Sequence, residues 1–123
     1  MADKEAKESV SPVGVDEKMY SGVTALTAFT ANGASDEIVN SDHFRYHYFQ
    51  IVITGISGSV VLRMEGTLDG VTYFNMNAAG VDTTYSANGT YLLETTRGLR
   101  PTKVRLNKIS GTGTVTSYYR GGN

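Results

Sequence analysis

The clearest hydrophobic periodicity in the chain lies between residues 59 and 76. Val60, Leu62 and Met64 fall on one face and Val61, Arg63 and Glu65 on the other, the period of two that a half-buried strand requires. Asp69-Gly70 follows, a pair that tolerates the positive φ of a tight hairpin turn. Beyond it Val71, Tyr73 and Asn75 oppose Thr72, Phe74 and Met76. The pattern predicts two strands folded back on one another. It carries no reaction chemistry.

The rest of the chain continues in the same style. Residues 44–54 form the longest β run, with Arg45, His47, Phe49, Ile51 and Ile53 on one face and Phe44, Tyr46, Tyr48 and Val52 on the other. Both faces are partly apolar, as expected of a central strand covered on both sides or lying beneath a neighbour. Further strands are predicted over 23–29, ended by Asn32-Gly33, and over 36–40, 83–85, 90–95, 103–109 and 114–120. Turns are predicted at 55–58, at Asn88-Gly89 and at 111–113, with a loop at 77–80 and a corner at 98–101. Roughly seven to nine short strands at this spacing predict an all-β chain, an antiparallel β-sandwich or jelly-roll-like fold.

Composition supports that fold class. A length of 123 residues predicts one domain, able to bury about two-thirds of its unfolded surface. Fourteen glycines, two prolines and eight tyrosines suit an all-β protein. With no cysteine there is neither a disulfide framework nor a thiolate metal site, which fits assembly in a reducing cytoplasm. No apolar run approaches the roughly 20 residues of a membrane helix, so no membrane partner is expected. The N-terminus does not read as an export signal.

Charge is unevenly spread. Residues 1–96 hold five Lys/Arg and twelve Asp/Glu, a net of −7, while residues 97–123 hold six Lys/Arg and no acid, a net of +6. Two readings stand: ordinary solvated strand faces, or domain ends that meet oppositely charged neighbouring subunits. The basic residues are spread along their segment rather than clustered, so nucleic acid is not expected as a partner.

Residues 1–18 differ in kind, with eight charged positions and few large apolar ones. Such a segment is read either as a disordered tail or as an arm ordered by another chain. The chain therefore divides into an N-terminal arm, 1–18, and a β-sandwich domain, 19–123. Lys4, Glu5, Lys7, Glu8, Asp16, Glu17 and Lys18 are the arm's candidate partner-binding residues.

Candidate chemistry is sparse. His43 and His47 on a strand sit roughly 13 Å apart, too far to share a metal ion, and His47 is expected to be a half-exposed strand histidine. Ser41-Asp42-His43 lacks a nucleophile elbow, and Ser57 in Gly55-Ile56-Ser57-Gly58 is one residue out of that spacing. Glu65 and Asp69 flank Gly66, yet the turn already accounts for Asp69. Asp42, Asp69 and Asp82 are isolated and form no calcium loop. Asn88-Gly89-Thr90 matches a glycosylation acceptor, but the turn accounts for Asn-Gly. No catalytic residue, metal site or cofactor is expected. Tyr46, Tyr48, Tyr73 and Tyr118 could face a glycan. Without tryptophan, sheet contact with other subunits is the favoured use of these rings.

One resemblance rests on particular residues. The alternating strand Val60–Glu65, then Gly66-Thr67-Leu68-Asp69-Gly70 and the aromatic pair Tyr73-Phe74, resembles small virion proteins of tailed bacteriophages. Asn88-Gly89-Thr90-Tyr91, Val104-Arg105-Leu106 and Ser110-Gly111-Thr112-Gly113-Thr114-Val115 continue it. The resemblance implies a non-enzymatic capsid decoration (cement) protein in many copies. It would be made in the host cytoplasm and resident in the virion. Its implied partners are the major capsid protein, other virion subunits and copies of itself. The same hairpin pattern occurs in carbohydrate-binding β-sandwich modules. A glycan-binding module of a tail or baseplate, or a neck or tail connector, is therefore the alternative. Members of the phage group often carry tryptophan after the Asp-Gly pair, where Tyr73-Phe74 stands here.

Overall fold

A computed structural model describes residues 23–95 and 98–123. The expected arm, 1–18, lies outside the described residues. Two long antiparallel strands, β4 (Tyr46–Thr67) and β8 (Lys103–Gly122), lie side by side from the Tyr46–Gly122 pair to the Thr67–Lys103 pair. Short strands line their outer edges. β1 (Thr24–Ala25), β2 (Gly33–Ala34) and β3 (Ile38–Val39) pair with β8. β5 (Tyr73–Asn75), β6 (Thr83–Tyr85) and β7 (Gly89–Glu94) pair with β4. The result is one eight-stranded antiparallel sheet, the all-β class expected of the sequence.

The turns expected at 55–58 and 111–113 are instead interruptions inside β4 and β8. They oppose each other across the ladder, Ser57 pairing with Thr112 and Val60 with Gly111. Each strand changes phase there. Along β4 the buried positions run His47, Phe49, Ile51, Ile53 and then Val60, Leu62, Met64; along β8 they run Val104, Leu106, Lys108 and then Val115, Ser117, Tyr119. Odd gives way to even in one strand and even to odd in the other. A bulged strand bends, and the extra residues keep the same face pointing inward. The sheet therefore has two leaves. The first holds β7, the start of β4, the end of β8 and β1. The second holds β5, β6, the end of β4, the start of β8, β2 and β3. Phe49, Ile51 and Val115 of the first leaf and Leu62, Met64 and Leu106 of the second, with at most 0% of each exposed, belong to one core cluster. A single sheet layer cannot bury a face so completely, so the leaves close on each other as a sandwich.

Other expectations shift in detail. The first strand, expected over 23–29, is β1 followed by an isolated bridge from Phe29 to Val115. Asn32-Gly33 does not end structure, because Gly33 opens β2. Gly89 begins β7, while the Asn88 side chain accepts a hydrogen bond from the Ile56 N–H at 2.9 Å. Residues 44–54 are expected to be covered on both sides or to lie beneath a neighbour. On the inner face His47, Phe49, Ile51 and Ile53 are buried but Arg45 is exposed, and Tyr46, Tyr48 and Val52 outside are only half-buried.

The hairpin around Asp69-Gly70 forms, but with a wider loop than a two-residue turn, because Thr67 pairs with Tyr73. Asp69 organises this loop. One carboxylate oxygen accepts hydrogen bonds from the Val71 and Thr72 N–H groups, each at 2.8 Å, and from the Thr67 hydroxyl at 2.9 Å. Those donors, the Thr72 and Val71 amides foremost, hold the carboxyl down at about 2. Gly70 sits at φ 84°, where a β-branched side chain is strained. Gly70→Val is expected to destabilise the fold by about 1–2 kcal/mol, read from chemical denaturation. A change within about 0.5 kcal/mol, the range of an ordinary surface substitution, would contradict this.

Candidate functional site: two outer faces of the sheet

The outer face of the second leaf is a closed polar network. Arg63 donates from Nε to Asp82 Oδ1 at 2.8 Å and from Nη2 to Oδ2 at 3.1 Å, a bidentate fork, and reaches Glu65 at 3.4 Å. This pairing with Asp82 raises the guanidinium pKa and lowers that of the carboxyl. Glu65 also accepts from Arg105 Nε at 2.8 Å and Asn107 Nδ2 at 3.1 Å. Arg105 lies 3.5 Å above the centre of the Tyr73 ring, and the Tyr73 hydroxyl donates to Glu37, which pairs with Lys103 at 3.6 Å. Burial first, and then the Glu37 carboxylate, push the Tyr73 phenol up to about 12. Three cations and three anions pair with one another across three strands and two flanking segments. The network knits β8, β4, β5 and the segments before β3 and β6, and each of its charged groups has a partner within it.

Of the four tyrosines singled out in the sequence, the fold places Tyr73 in that network, covered by Arg105. It brings the other three together on the outer face of the first leaf. The register sets this face out in rows across the strands: Glu94–Tyr48–Arg120, then Leu92–Gln50–Tyr118–Ala25, then Thr90–Val52–Thr116. Tyr46 opposes Gly122 at the start of β4, with the Arg45 guanidinium 5.6 Å from its ring centre. Leu92 is 58% exposed and Tyr118 37%. Leu92, Glu94 and Arg120 were not singled out by sequence reasoning. Alternation over 90–94 marks Leu92 and Glu94 as outward, but only the strand register shows that Glu94 and Arg120 flank one tyrosine.

His47 is not half-exposed. Its side chain is fully buried beneath the first leaf, with Nδ1 2.6 Å from the Tyr119 hydroxyl and Nε2 3.1 Å from the Leu99 carbonyl. The carbonyl can only accept, so Nε2 carries the proton and Nδ1 accepts from the phenol, a neutral tautomer. Burial lowers the imidazole pKa and raises that of the Tyr119 phenol. Both groups are locked into the core. Lys108 is buried too, its ammonium donating to the carbonyls of Thr30 at 2.5 Å and Gly111 at 3.0 Å. It pins the 26–34 segment to the bend between the leaves. Among the described residues no three His, Asp or Glu side chains converge as a metal site.

No protein-family model and no curated protein matches the chain. A solved structure to which it is similar is that of the SPBc2 prophage-derived protein YomS, at 18% identity and a TM-score of 0.47, over 79% of this chain and 91% of that one.

Proposed function

We propose that the chain is a non-enzymatic structural protein of a tailed-bacteriophage virion, a capsid decoration protein that binds and stabilises the shell. The observation that carries this reading is the contrast between the two outer faces. The second leaf satisfies its own charges, whereas the first leaf leaves Leu92 and Tyr118 exposed beside the half-buried Tyr48. Tyrosine-rich faces with an apolar centre and charges at the margin suit contact with another protein. The sequence resemblance over residues 60–74 and 88–115 supplies the virion context. Attachment to the major capsid protein is assigned to the charged residues 1–18, which add contact area to assembled particles and little to free subunits.

A glycan-binding role loses ground on geometry. Tyr73 already carries a guanidinium on its ring, and Tyr46, Tyr48 and Tyr118 line an open sheet face rather than a concave pocket with convergent polar groups. The test is co-sedimentation with shells of the major capsid protein that lack this chain. The full chain is expected to saturate them, and removal of residues 1–18 is expected to lower occupancy without changing the melting temperature of the sheet. Equal occupancy of both forms, or no binding by the full chain, would contradict the proposal.

A further inference from the structure

The uncovered face of the first leaf has the symmetry of its own partner. Glu94 on β7 and Arg120 on β8 lie on one row, on opposite sides of Tyr48 on β4. Two interstrand spacings put them roughly 10 Å apart, too far to pair with each other. Both are exposed, and neither joins an ion pair among the described residues. The next row repeats the arrangement with apolar groups, Leu92 and Tyr118 flanking Gln50. The third places Thr90 and Thr116 around Val52.

We infer that this face binds a second copy of the chain, face to face, about a two-fold axis running along β4. Such an axis exchanges the two sides of every row. It sets Glu94 of one copy against Arg120 of the other, twice, and Leu92 against Tyr118, twice, while Tyr48, Gln50 and Val52 meet their own counterparts on the axis. The isologous arrangement is the commonest route to a homodimer, and it demands this kind of self-complementary patch. Charge decides in its favour. Among the described residues the three rows hold one anion and one cation, and an identical face supplies the opposite charge at both positions. The large apolar side chains that stay wet on the free chain, Leu92 above all, are covered in the same step. This inference rests on the reading of the face as a protein-contact surface. It adds that the decoration protein reaches the shell as a dimer.

Charge reversal in the full chain, followed by sedimentation velocity over a concentration series, tests it. The wild type is expected to shift from monomer to dimer as concentration rises. Glu94→Arg and Arg120→Glu alone each oppose like charges at two symmetric positions and are expected to weaken dimerisation by about tenfold or more. The double variant Glu94→Arg/Arg120→Glu restores both pairs and is expected to recover dimerisation to near the wild-type value. Leu92→Glu is expected to leave monomers at all concentrations, with the sheet's circular dichroism unchanged because the side chain is exposed. A wild-type chain that stays monomeric throughout, or a double variant no better than the singles, overturns the dimer. Shell binding by a monomeric wild type would overturn this inference and leave the proposed function standing. A dimer that binds no shell would do the reverse.

Discussion

Gly111→Ala is expected to destabilise the native fold severely. At this position the chain runs at φ 109°, and a Cβ would meet the Ser59 carbonyl oxygen at 2.0 Å and the Val60 Cα at 2.8 Å. Both obstacles are backbone, and both belong to the interruption in β4 that opposes Gly111 across the ladder. They can retreat only by pulling β4 away from β8 at the bend. That movement would unseat Val60, which is fully buried, and the Gly111 carbonyl that receives the Lys108 ammonium. Strain at a forbidden backbone angle plus a main-chain clash should cost more than about 3 kcal/mol, a large share of the roughly 5–15 kcal/mol that holds a domain together. Gly58→Ala is the matched control, since φ is 80° there but nothing lies within 4 Å of the added carbon. It should fold, with a lowered melting point. Thermal melts of the two variants check this. A Gly111→Ala protein as stable as Gly58→Ala would mean that the leaves are not joined by a close approach of the two long strands.

Replacing His47 with alanine should produce the second large effect. The imidazole is fully buried, its ring 5.9 Å from that of Tyr119, which in turn lies 5.3 Å from that of Phe49. Alanine leaves a cavity and strands the Tyr119 hydroxyl and the Leu99 carbonyl without their partner. The expected loss is about 3 kcal/mol at neutral pH. The same burial makes the fold acid-sensitive. Its folded pKa lies below the unfolded value of about 6.5, so as pH falls through that value the unfolded chain takes up a proton that the folded core refuses. The stabilisation is complete above about 6.5 and declines toward the folded pKa, at up to about 1.4 kcal/mol per pH unit. Asp36, Glu37, Asp69 and Asp82 are also held below their ordinary values. Their contribution has the same sign but fades only below about pH 4, so the two windows separate. Urea unfolding between pH 7.5 and 5 should show a decline in the wild type that His47→Ala removes. A flat wild-type profile, or an equal slope in the variant, would show that the imidazole is not buried neutral.

These two positions also mark what the sequence could and could not convey. Period-two alternation at Val60, Leu62 and Met64 and at Phe49, Ile51 and Ile53 reports burial directly, so the all-β class and most of the strands were legible. The glycine clusters at 55–58 and 111–113 look like turns in the sequence, because glycine serves equally in a turn and in a bulge. Only their opposition across the β4–β8 ladder separates the two. His47 looked like a half-exposed strand residue because its partners, Tyr119 and Leu99, lie 72 and 52 positions away. The tyrosines were legible as surface rings, but not as members of different faces. Tyr73 lies on the second leaf beneath Arg105, a pairing that arises when β5 and β8 settle on opposite sides of β4. Glu94 and Arg120 are seen to flank Tyr48 only once register is known.

Cryo-electron microscopy of purified particles of a phage encoding this chain tests the central claim most directly. The closed two-leaf sheet is expected in many copies on the outer surface of the head, in pairs that meet through the face holding Tyr48, Leu92 and Tyr118. Particles whose heads are bare of it, with the chain absent from them or confined to the tail, would contradict the account.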